Sequence, residues 1–351
     1  MKTVFTVVGA RPQFVKAGPV SRALDASDKL TEILVHTGQH FDANMSDVFF
    51  EDLQIRKPNR FLGVSGGGHG QMTGRMLEQL EAAMMEDKPD IVMVYGDTNS
   101  TIAGALAAAK LHIPVVHVES GLRSFNRTMP EELNRILTDH LSELLLCSTT
   151  TSVRNLANEG ITKGVHHIGD VMYDATLFAK ERALKVSGIM AELGLQDTSD
   201  FAVCTLHRAE NTDNHERFLE MLAQIEKVAA ERLVVFPVHP RTRNKLSTME
   251  WAPENVKMIE PIGYIDLNRL LHSASLVLTD SGGLQKEAYF HETPCITLRD
   301  ETEWVETVEC GWNRLWTMAD WTSPRSSIEE YGDGKSAEAI VRLIEENFAG
   351  A

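Results

Sequence analysis

Residues 276–287 read LVLTDSGGLQKE, which is a short apolar run, a Ser-Gly-Gly turn and the start of a helical pattern. A strand that passes through glycines into a helix is typical of phosphate-binding sheets, because backbone N–H groups at the helix start point towards an anion. Glu287 is placed to accept hydrogen bonds from two ribose hydroxyls. The simpler interpretation is a helix cap in which glycine allows close packing. The stretch predicts a β–α unit and a candidate nucleotide site.

The same alternation of apolar runs and helical patterns continues along the chain. Continuous hydrophobic runs are typical of parallel strands that are covered on both faces. The runs predicted as strands are 4–8, 33–36, 91–95, 114–118, 144–147, 201–205, 233–238, 256–259, 276–279 and 295–298. The segments predicted as helices are 72–85, 100–111, 131–141, 214–230, 267–273 and 284–291. This pattern predicts an α/β protein with two doubly wound parallel sheets.

The length of 351 residues suggests two domains. We expect an N-terminal Rossmann-like domain at 1–170, a C-terminal Rossmann-like domain at 171–335, and a final helix at 336–351 that packs back across the domains. Ligands of parallel sheets bind outside the carboxyl ends of the strands. Two such domains that face each other predict an interdomain cleft, so the residues that follow the strands are the candidate site.

Composition excludes several classes of function. Lys plus Arg is 34 and Asp plus Glu is 50, which gives a net charge of −16 and argues against a binder of nucleic acid or of an anionic membrane surface. No segment approaches the ~20 apolar residues of a membrane span. The four cysteines have no CxxC spacing, so we interpret them as reduced core thiols of a cytoplasmic protein without a zinc site.

Basic residues follow the first predicted strand. Arg11 lies at the turn and Lys16 lies about one turn inside the helix that follows. This arrangement suits an anion at a helix N-terminus with two cations beside it. Solvated basic residues of an ordinary β–α turn are the simpler interpretation. The turn is not GxGxxG, so a dinucleotide fingerprint is absent here.

Acidic residues follow the next strands of the first half. Asp97 and Glu119 come after the predicted strands 91–95 and 114–118, and Glu131 opens a helix. Asp97 and Glu131 are also explained as acids at helix starts. Glu119 ends an apolar run, where no such explanation applies. Three carboxylates at neighbouring strand ends repel one another and raise at least one pKa, which predicts acid–base catalysis.

Histidine and arginine follow strands in the second half. His207 and Arg208 come after the predicted strand 201–205, and His239 comes after 233–238. A single histidine of this kind is more often structural, but this strand end is where ligands lie. Arg299 follows 295–298 and is placed to pair with a phosphate oxygen.

Taken in order, these motifs resemble the non-hydrolysing UDP-N-acetylglucosamine 2-epimerases. The resemblance runs from about Phe5 to Trp316 and implies the GT-B fold of two Rossmann-like domains. Each motif is weak alone, but the ordered set is specific. The motifs are residues 9–16, Gly38-Gln39-His40, Gly96-Asp97-Thr98, residues 117–123, residues 130–135, residues 207–211 and residues 280–287.

The resemblance implies roles for the matching positions. It implies UDP binding for Arg11, Ser281, Gly282, Gly283, Glu287 and Arg299. It implies chemistry for Lys16, Asp97, Glu119, Glu131 and His207. It allows an allosteric substrate site at Gln39, Arg75, Arg208 and His239. It also implies a homodimer that converts UDP-N-acetylglucosamine to UDP-N-acetylmannosamine with no cofactor and no metal.

The implied reaction is elimination followed by re-addition. A C2 proton is not acidic until the C1–O bond to UDP breaks and C1 becomes oxocarbenium-like. A carboxylate then removes this proton to give a 2-acetamidoglucal, and a second acid reprotonates C2 on the other face. Which of Asp97, Glu119 and Glu131 is the base and which is the acid stays open at this point.

Two departures from the commonest pattern bear on the substrate. Asp42 stands where relatives with an allosteric substrate site carry Gln, which argues against activation by substrate. Residues 37–45 and 123–127 resemble a branch that acts on UDP-2,3-diacetamido-2,3-dideoxyglucuronate. The extra carboxylate of that sugar requires a cation, for which Arg123 and Arg127 are the candidates.

Three rival functions stay open, namely a GT-B glycosyltransferase, a hydrolysing epimerase and a non-catalytic UDP-sugar sensor.

Overall fold

The computed structural model describes residues 1–39 and 50–350. The chain forms two compact units, Met1–Ala175 with Glu329–Ala351, and Thr176–Ile328. The predicted division at 1–170, 171–335 and 336–351 stays a prediction about functional domains. The end of the chain lies in the first unit. His40 and Asp42, which belong to motifs quoted above, lie outside the described residues.

The first unit is built on a seven-stranded parallel sheet. Its strand order is β3-β2-β1-β4-β5-β6-β7. The strands are β1 Lys2–Val8, β2 Leu30–His36, β3 Arg60–Phe61, β4 Ile91–Tyr95, β5 Val115–Val118, β6 Leu144–Cys147 and β7 Val165–His167.

The second unit is built on a six-stranded parallel sheet. Its strand order is β10-β9-β8-β11-β12-β13. The strands are β8 Phe201–Thr205, β9 Leu233–Pro237, β10 Val256–Ile259, β11 Leu276–Thr279, β12 Cys295–Thr297 and β13 Asn313–Leu315.

Helices connect the strands of both sheets. They are Arg11–Asp25, His69–Asp87, Asn99–Lys110, Pro130–Leu141, Thr150–Asn158, Val171–Val186, Ile189–Glu192, Ala209–Thr212, His215–Ala229, Pro240–Thr248, Tyr264–Ser273, Gly282–Phe290, Val305–Glu309 and Ser336–Ile344, with a 3₁₀ turn at Glu329–Tyr331 and a π-helical turn at Glu345–Ala349. Within residues 1–39 and 50–350, none of the helices combines the length and the apolar character that a bilayer crossing requires.

The two sheets repeat one strand order, and this order positions the candidate site. In each unit the chain starts in the middle of the sheet, adds two strands on one side and then continues on the other side. The reversal lies between β1 and β4 in the first unit and between β8 and β11 in the second. Ligands of doubly wound sheets bind outside the carboxyl ends of the strands at this reversal. The predicted pair of doubly wound parallel sheets is confirmed.

The cores explain why these segments form central strands. Val7 of β1 and Val94 of β4 are fully buried, as expected for strands covered on both faces. Gly104 of the Asn99–Lys110 helix lies against both valines, where an added Cβ would come within 3.1–3.2 Å. A small residue at this position lets the helix lie directly on the sheet.

The last helix packs on the first helix of the same unit. Ser27, just after the Arg11–Asp25 helix, donates a 2.6 Å hydrogen bond from Oγ to Glu345 Oε1. Asp174 accepts hydrogen bonds from the backbone N–H groups of Ser336 and Ala337 at 3.2 and 2.8 Å, so it caps the start of the last helix. The end of the chain is therefore a structural part of the first unit.

A buried carboxyl between β1 and β2 predicts a pH-dependent stability. Burial raises the pKa of Glu32 from 4.5 to about 6, although the Thr6 hydroxyl donates a 2.6 Å hydrogen bond to it. The folded protein therefore holds this proton more tightly than the unfolded chain, and stability falls as the pH rises through this window. We expect Glu32→Gln, which keeps an acceptor for Thr6, to raise the free energy of unfolding by about 2 kcal/mol at neutral pH.

This gain is measured by urea unfolding across the pH range. It should disappear once the pH falls below the ordinary pKa of Glu, because the wild-type carboxyl is then protonated in both states. Glu78→Gln, on an exposed helix position, serves as the control and should change little. A Glu32→Gln protein of wild-type stability at neutral pH would contradict the prediction.

Candidate active site

The turn between β1 and the first helix is held by one buried glutamine. Gln13 Oε1 accepts from the N–H groups of Gly9 and Ala10 at 2.8 and 3.0 Å, and Gln13 Nε2 donates to the carbonyl of Tyr95 at 2.8 Å. A Cβ on Gly9 would collide with the hydroxyl of Ser100. The turn that carries Arg11 is thus fixed to the carboxyl end of β4.

Lys16 and Glu119 form a buried ion pair at the carboxyl ends of β1 and β5. Their ammonium and carboxylate groups are in direct contact, and the two residues are only 7% and 8% exposed. Gly96 makes room for this pair, because an added Cβ would lie 3.3 Å from both Lys16 Nζ and Glu119 Oε2. Glu119 itself has φ of +69°, a left-handed conformation that costs a non-glycine residue energy and is characteristic of functional sites.

Asp97 lies beside this pair and is held by two residues of the Pro130–Leu141 helix. Arg135 Nε donates to Asp97 Oδ2 at 2.9 Å, and Asn134 Nδ2 donates to the Asp97 carbonyl at 2.9 Å. Arg135 also contacts the buried Glu132 at 2.6 Å. Glu132 in turn accepts from the backbone N–H of Ser124 at 2.9 Å, which connects Asp97 to the loop after β5.

The environment of Asp97 opposes its ionisation. Burial raises the pKa of Asp97, the nearby Arg135 and Lys16 lower it, and the neighbouring Glu119 raises it again. The net direction is upward. A raised carboxyl pKa was predicted from repulsion among acids, but its main cause is burial and the repulsion contributes less.

The structure brings together Lys16, Asp97 and Glu119 but not all the predicted residues of this half. No hydrogen bond or ion pair among the described residues joins Glu131 to this group, although Glu131 lies in the first turn of the helix that carries Arg135. Arg11 is the first residue of the first helix and is half-buried.

Arg123 has a different environment from the one predicted as a cation for substrate. Its side chain is 1% exposed and pairs with Asp139 and Glu159, each at 2.7 Å. The interpretation of Arg123 as a substrate cation is therefore wrong, because its guanidinium group is already paired with two carboxylates of the protein. Arg127 lies in an exposed turn of the same loop, and no ion pair or hydrogen bond within the described part of the chain engages it.

Behind this group lies a buried network that the sequence did not reveal. His117 Nδ1 lies 2.7 Å from Asp139 Oδ1, and His117 Nε2 lies 2.7 Å from the carbonyl oxygen of Gly96. Asp139 Oδ2 also accepts from the backbone N–H of Gly121 at 3.1 Å. His117 and Asp139 are at most 1% exposed.

In the second unit, Asp280 orients His207 at the strand reversal. Asp280 is fully buried and accepts from the backbone N–H groups of His207 and Arg208 at 3.0 and 2.8 Å. His207 Nδ1 lies 3.1 Å from Asp280 Oδ1, while the His207 side chain is 44% exposed. Burial raises the pKa of Asp280, but His207 and the two N–H groups outweigh it and hold the pKa below its ordinary value. A buried carboxylate that fixes one nitrogen leaves the other available for chemistry.

The Ser-Gly-Gly turn has the predicted form. Ser281 caps the Gly282–Phe290 helix by accepting from the N–H of Leu284 at 3.4 Å. A Cβ on Gly282 would lie 2.5 Å from Glu303 Oε1, so a larger residue would displace the Glu303 side chain. Arg299 is 7% exposed and donates to Glu303 Oε2 at 2.7 Å. Arg299, the residue predicted to bind a phosphate oxygen, is thus held in place by the Glu303 carboxylate.

The remaining predicted residues lie in both units. Glu287 is 6% exposed within the Gly282–Phe290 helix, and the ring of His239 lies 6.3 Å from that of His207. Arg208 lies 3.6 Å from Glu210. In the first unit, Gln39 Oε1 accepts from Ser100 Oγ at 2.8 Å, and Arg75 donates to the carbonyl of Ser65 at 2.9 Å. Among residues 1–39 and 50–350, no cluster of three or more His, Cys, Asp and Glu side chains has the arrangement of a metal site.

Comparisons with known proteins agree with this geometry. The model of the UDP-N-acetylglucosamine 2-epimerase family matches residues 22–345. The chain is 51% identical to the UDP-2,3-diacetamido-2,3-dideoxy-D-glucuronate 2-epimerase of Pseudomonas aeruginosa, in an alignment that covers 97% of this chain and 99% of that one.

Solved structures resemble the chain over its whole length. The crystal structure of Methanocaldococcus jannaschii UDP-GlcNAc 2-epimerase in complex with UDP-GlcNAc and UDP has a TM-score of 0.88 and 40% identity, and covers 99% of this chain and 100% of that one. The Neisseria meningitidis UDP-GlcNAc 2-epimerase bound to UDP-GlcNAc has a TM-score of 0.87 and 29% identity, and covers 98% and 100%.

The fold and these neighbours define a GT-B isomerase of nucleotide sugars. The chain belongs to the UDP-N-acetylglucosamine 2-epimerase family. This membership confirms the resemblance, the fold class and the class of activity predicted from the sequence, which is C2 epimerisation of UDP-sugars.

Proposed function

We propose that the chain inverts C2 of a UDP-2-acetamido sugar by eliminating UDP and adding it back, without hydrolysis. The observation that carries this proposal is the group of Lys16, Asp97 and Glu119 at the carboxyl ends of β1, β4 and β5. Inversion at C2 needs one group to remove a proton and another to return it on the opposite face. Two carboxyl groups in unlike environments meet that requirement.

The two acids differ in the way acid–base catalysis requires. Glu119 is ion-paired with Lys16, which favours the ionised form that accepts a proton. The pKa of Asp97 is raised, which favours the protonated form that donates one. We assign Glu119 as the base and Asp97 as the acid in one direction, with the roles exchanged on return. The geometry gives less support to the predicted role of Glu131.

The second unit supplies the groups that bind UDP and stabilise its charge as it leaves. The N–H groups at the start of the Gly282–Phe290 helix, Ser281 and Arg299 are suited to the diphosphate. Glu287 is suited to the ribose hydroxyls. His207, oriented by Asp280, is suited to protonate or hydrogen-bond the departing oxygen. Arg11, at the start of the first helix, is a further candidate for the diphosphate.

We propose UDP-2,3-diacetamido-2,3-dideoxy-D-glucuronate as the sugar nucleotide, with UDP-N-acetylglucosamine as the second candidate. The support is the 51% identity to the Pseudomonas aeruginosa enzyme of that name, against 40% to the Methanocaldococcus jannaschii enzyme. A glucuronate differs from glucosamine by a carboxylate at C6. Arg127 is a cation of the loop after β5 that no group of the described chain neutralises, so it is available for this carboxylate.

The reaction is tested in deuterated water by following the C2 hydrogen with NMR. Each candidate UDP-sugar is incubated with enzyme, and the products are separated. Incorporation of deuterium at C2 together with the C2 epimer supports elimination and re-addition. An unchanged C2 hydrogen with both nucleotides would contradict the proposal, and free sugar as the final product would indicate a hydrolysing epimerase. Turnover that requires an added acceptor would indicate a glycosyltransferase.

The identity of the sugar gives a prediction about Arg127. We expect Arg127→Met to raise KM for the uronate by about 10–100-fold, the value of a lost hydrogen bond to a charged group, and to leave KM for UDP-N-acetylglucosamine unchanged. Arg154→Met, at an exposed position of the Thr150–Asn158 helix, is the matched control. Equal changes in KM for the two nucleotides would contradict a role in reading the carboxylate.

The family resemblance supports a proposal about the assembly and the location of the protein. We propose a homodimer of cytoplasmic location whose functional domains are 1–170 and 171–335. Light scattering with size-exclusion chromatography measures the mass of the particle, and a monomeric mass for the active enzyme would contradict the dimer.

A further inference from the structure

We infer that Asp139 is a positioning residue in the first unit. It fixes the relative position of the two turns that carry Asp97 and Glu119. The inference rests on the proposed function, since it assumes that Asp97 and Glu119 are the proton-transfer groups. Neither Asp139 nor its partner His117 belongs to the groups assigned above to substrate or to proton transfer.

One carboxylate oxygen of Asp139 connects, through His117, to the turn that carries Asp97. Asp139 Oδ1 lies 2.7 Å from His117 Nδ1, and His117 Nε2 lies 2.7 Å from the carbonyl oxygen of Gly96, the residue before Asp97. A carbonyl only accepts, so Nε2 carries hydrogen. The opposite nitrogen faces the Asp139 carboxylate. His117 therefore bridges Asp139 and the turn that carries Asp97.

The other carboxylate oxygen of Asp139 connects to the turn that carries Glu119. Asp139 Oδ2 accepts from the N–H of Gly121 at 3.1 Å, two residues after Glu119. Gly121 has φ of +78°, and a Cβ there would collide with the carbonyl oxygen of Ser152. The turn is therefore tightly packed, and the Asp139 carboxylate fixes its backbone from within.

Charges around the network keep Asp139 ionised. Burial raises the pKa of Asp139, but the hydrogen bond and charge of His117 and the charge of Arg123 outweigh it and hold the pKa below its ordinary value. Arg123 lies 2.7 Å from Asp139 and is paired on its other side with Glu159. The thiol of Cys147 also lies near this network, and burial raises its pKa to about 11, so it stays neutral.

The functional consequence is that one buried carboxylate sets the distance between the two catalytic acids. Asp97 and Glu119 follow adjacent strands, and their backbone turns are joined through Asp139 and His117. A displacement of about 1 Å at reacting groups costs about 10²-fold in rate. Loss of the hydrogen bonds that Asp139 makes to these two turns should therefore lower the rate of the chemical step without weakening the binding of nucleotide.

The test is Asp139→Asn in the full-length enzyme, with Glu159→Gln as the matched control. The asparagine keeps the shape of the side chain but removes its charge, whereas Glu159 touches Arg123 from the outer side and reaches neither turn. We expect kcat to fall about 10²-fold in Asp139→Asn with KM unchanged, and to stay at the wild-type value in Glu159→Gln. We also expect more turnovers to end as released UDP and glycal, because reprotonation is misaligned.

A spectroscopic signature separates positioning from general destabilisation. With ¹⁵N-labelled histidine, the Nδ1 signal of His117 should differ between the wild type and Asp139→Asn, because the partner of Nδ1 changes from a carboxylate to an amide. Unchanged kcat in a folded Asp139→Asn enzyme, or a His117 signal that Asp139→Asn leaves unchanged, would overturn the inference. If Asp139→Asn does not fold, His117→Gln decides, because a fall in kcat at constant KM supports the inference and a wild-type kcat overturns it.

The outcome is separable from that of the proposed function. Absence of C2 exchange in the wild-type enzyme contradicts the proposed function. Wild-type exchange together with unaffected Asp139→Asn and His117→Gln variants contradicts only the positioning role.

Discussion

Replacement of Glu119 by Gln should lower kcat about 10²–10⁴-fold, the usual contribution of a general base, and leave the affinity for UDP unchanged. Glu119 is the carboxylate that is paired with Lys16, and a neutral amide accepts no proton from C2. The groups proposed for UDP are mainly residues of the second unit, so UDP binding does not depend on this side chain. The measurements are initial rates of epimerisation and calorimetric titration with UDP.

Deuterium exchange gives the sharper form of this test. Glu119→Gln should suppress incorporation at C2 in proportion to kcat, because proton removal itself is lost. Glu78→Gln, an exposed glutamate of the same unit, should exchange like the wild type. A Glu119→Gln enzyme with wild-type turnover would remove Glu119 from the mechanism.

Replacement of Asp280 by Asn should lower kcat/KM about 10²–10⁴-fold, as when the orienting acid behind a catalytic histidine is lost. Asp280 Oδ2 accepts from the backbone N–H groups of His207 and Arg208, while Oδ1 faces His207 Nδ1, and an amide offers only one of these two acceptor oxygens. The histidine then loses its fixed orientation, and the turn at the strand reversal loosens.

Steady-state rates over a range of substrate concentrations measure the loss, and thermal unfolding verifies that the variant is folded. Asp197→Asn is the control, since Asp197 is an exposed acid of the same unit that pairs with Arg269. Wild-type kcat/KM in a folded Asp280→Asn enzyme would show that the orientation of His207 does not matter.

The central strands were predictable because they are buried on both faces. Ile91–Tyr95, Leu144–Cys147, Phe201–Thr205 and Leu276–Thr279 have the predicted bounds, since an unbroken apolar run marks them in the sequence. The edge strand Val256–Ile259 was predicted, but the edge strands Arg60–Phe61, Val165–His167 and Asn313–Leu315 were missed. They are two or three residues long and partly exposed, so they carry no comparable run.

The site was predictable only where side chains follow strands. Lys16, Asp97 and Glu119 lie together, because the carboxyl ends of parallel strands share one edge of the sheet. Arg135 and Asp139 were not assigned roles. They lie on a helix at positions where charged residues usually face water, and only the tertiary structure turns them inward.

The sequence carries only a weak signal for Asp139. His117 is a polar residue in the middle of a buried strand, and such a residue requires a partner. The sequence gives no indication of where that partner lies, because Asp139 is separated from His117 by a loop and most of a helix. The pairing of His117 with Asp139 is therefore visible only in the structure.

The return of the final helix to the first unit bears on how the chain is folded and divided. Asp174 and Ser27 receive this helix from the far end of the polypeptide, so the first unit is not one continuous stretch. A polypeptide cut after Ile328 would leave the surface of the first helix bare, and that helix also bears Lys16. Ribosomal synthesis has to reach residues 336–345 before the N-terminal half can form these contacts.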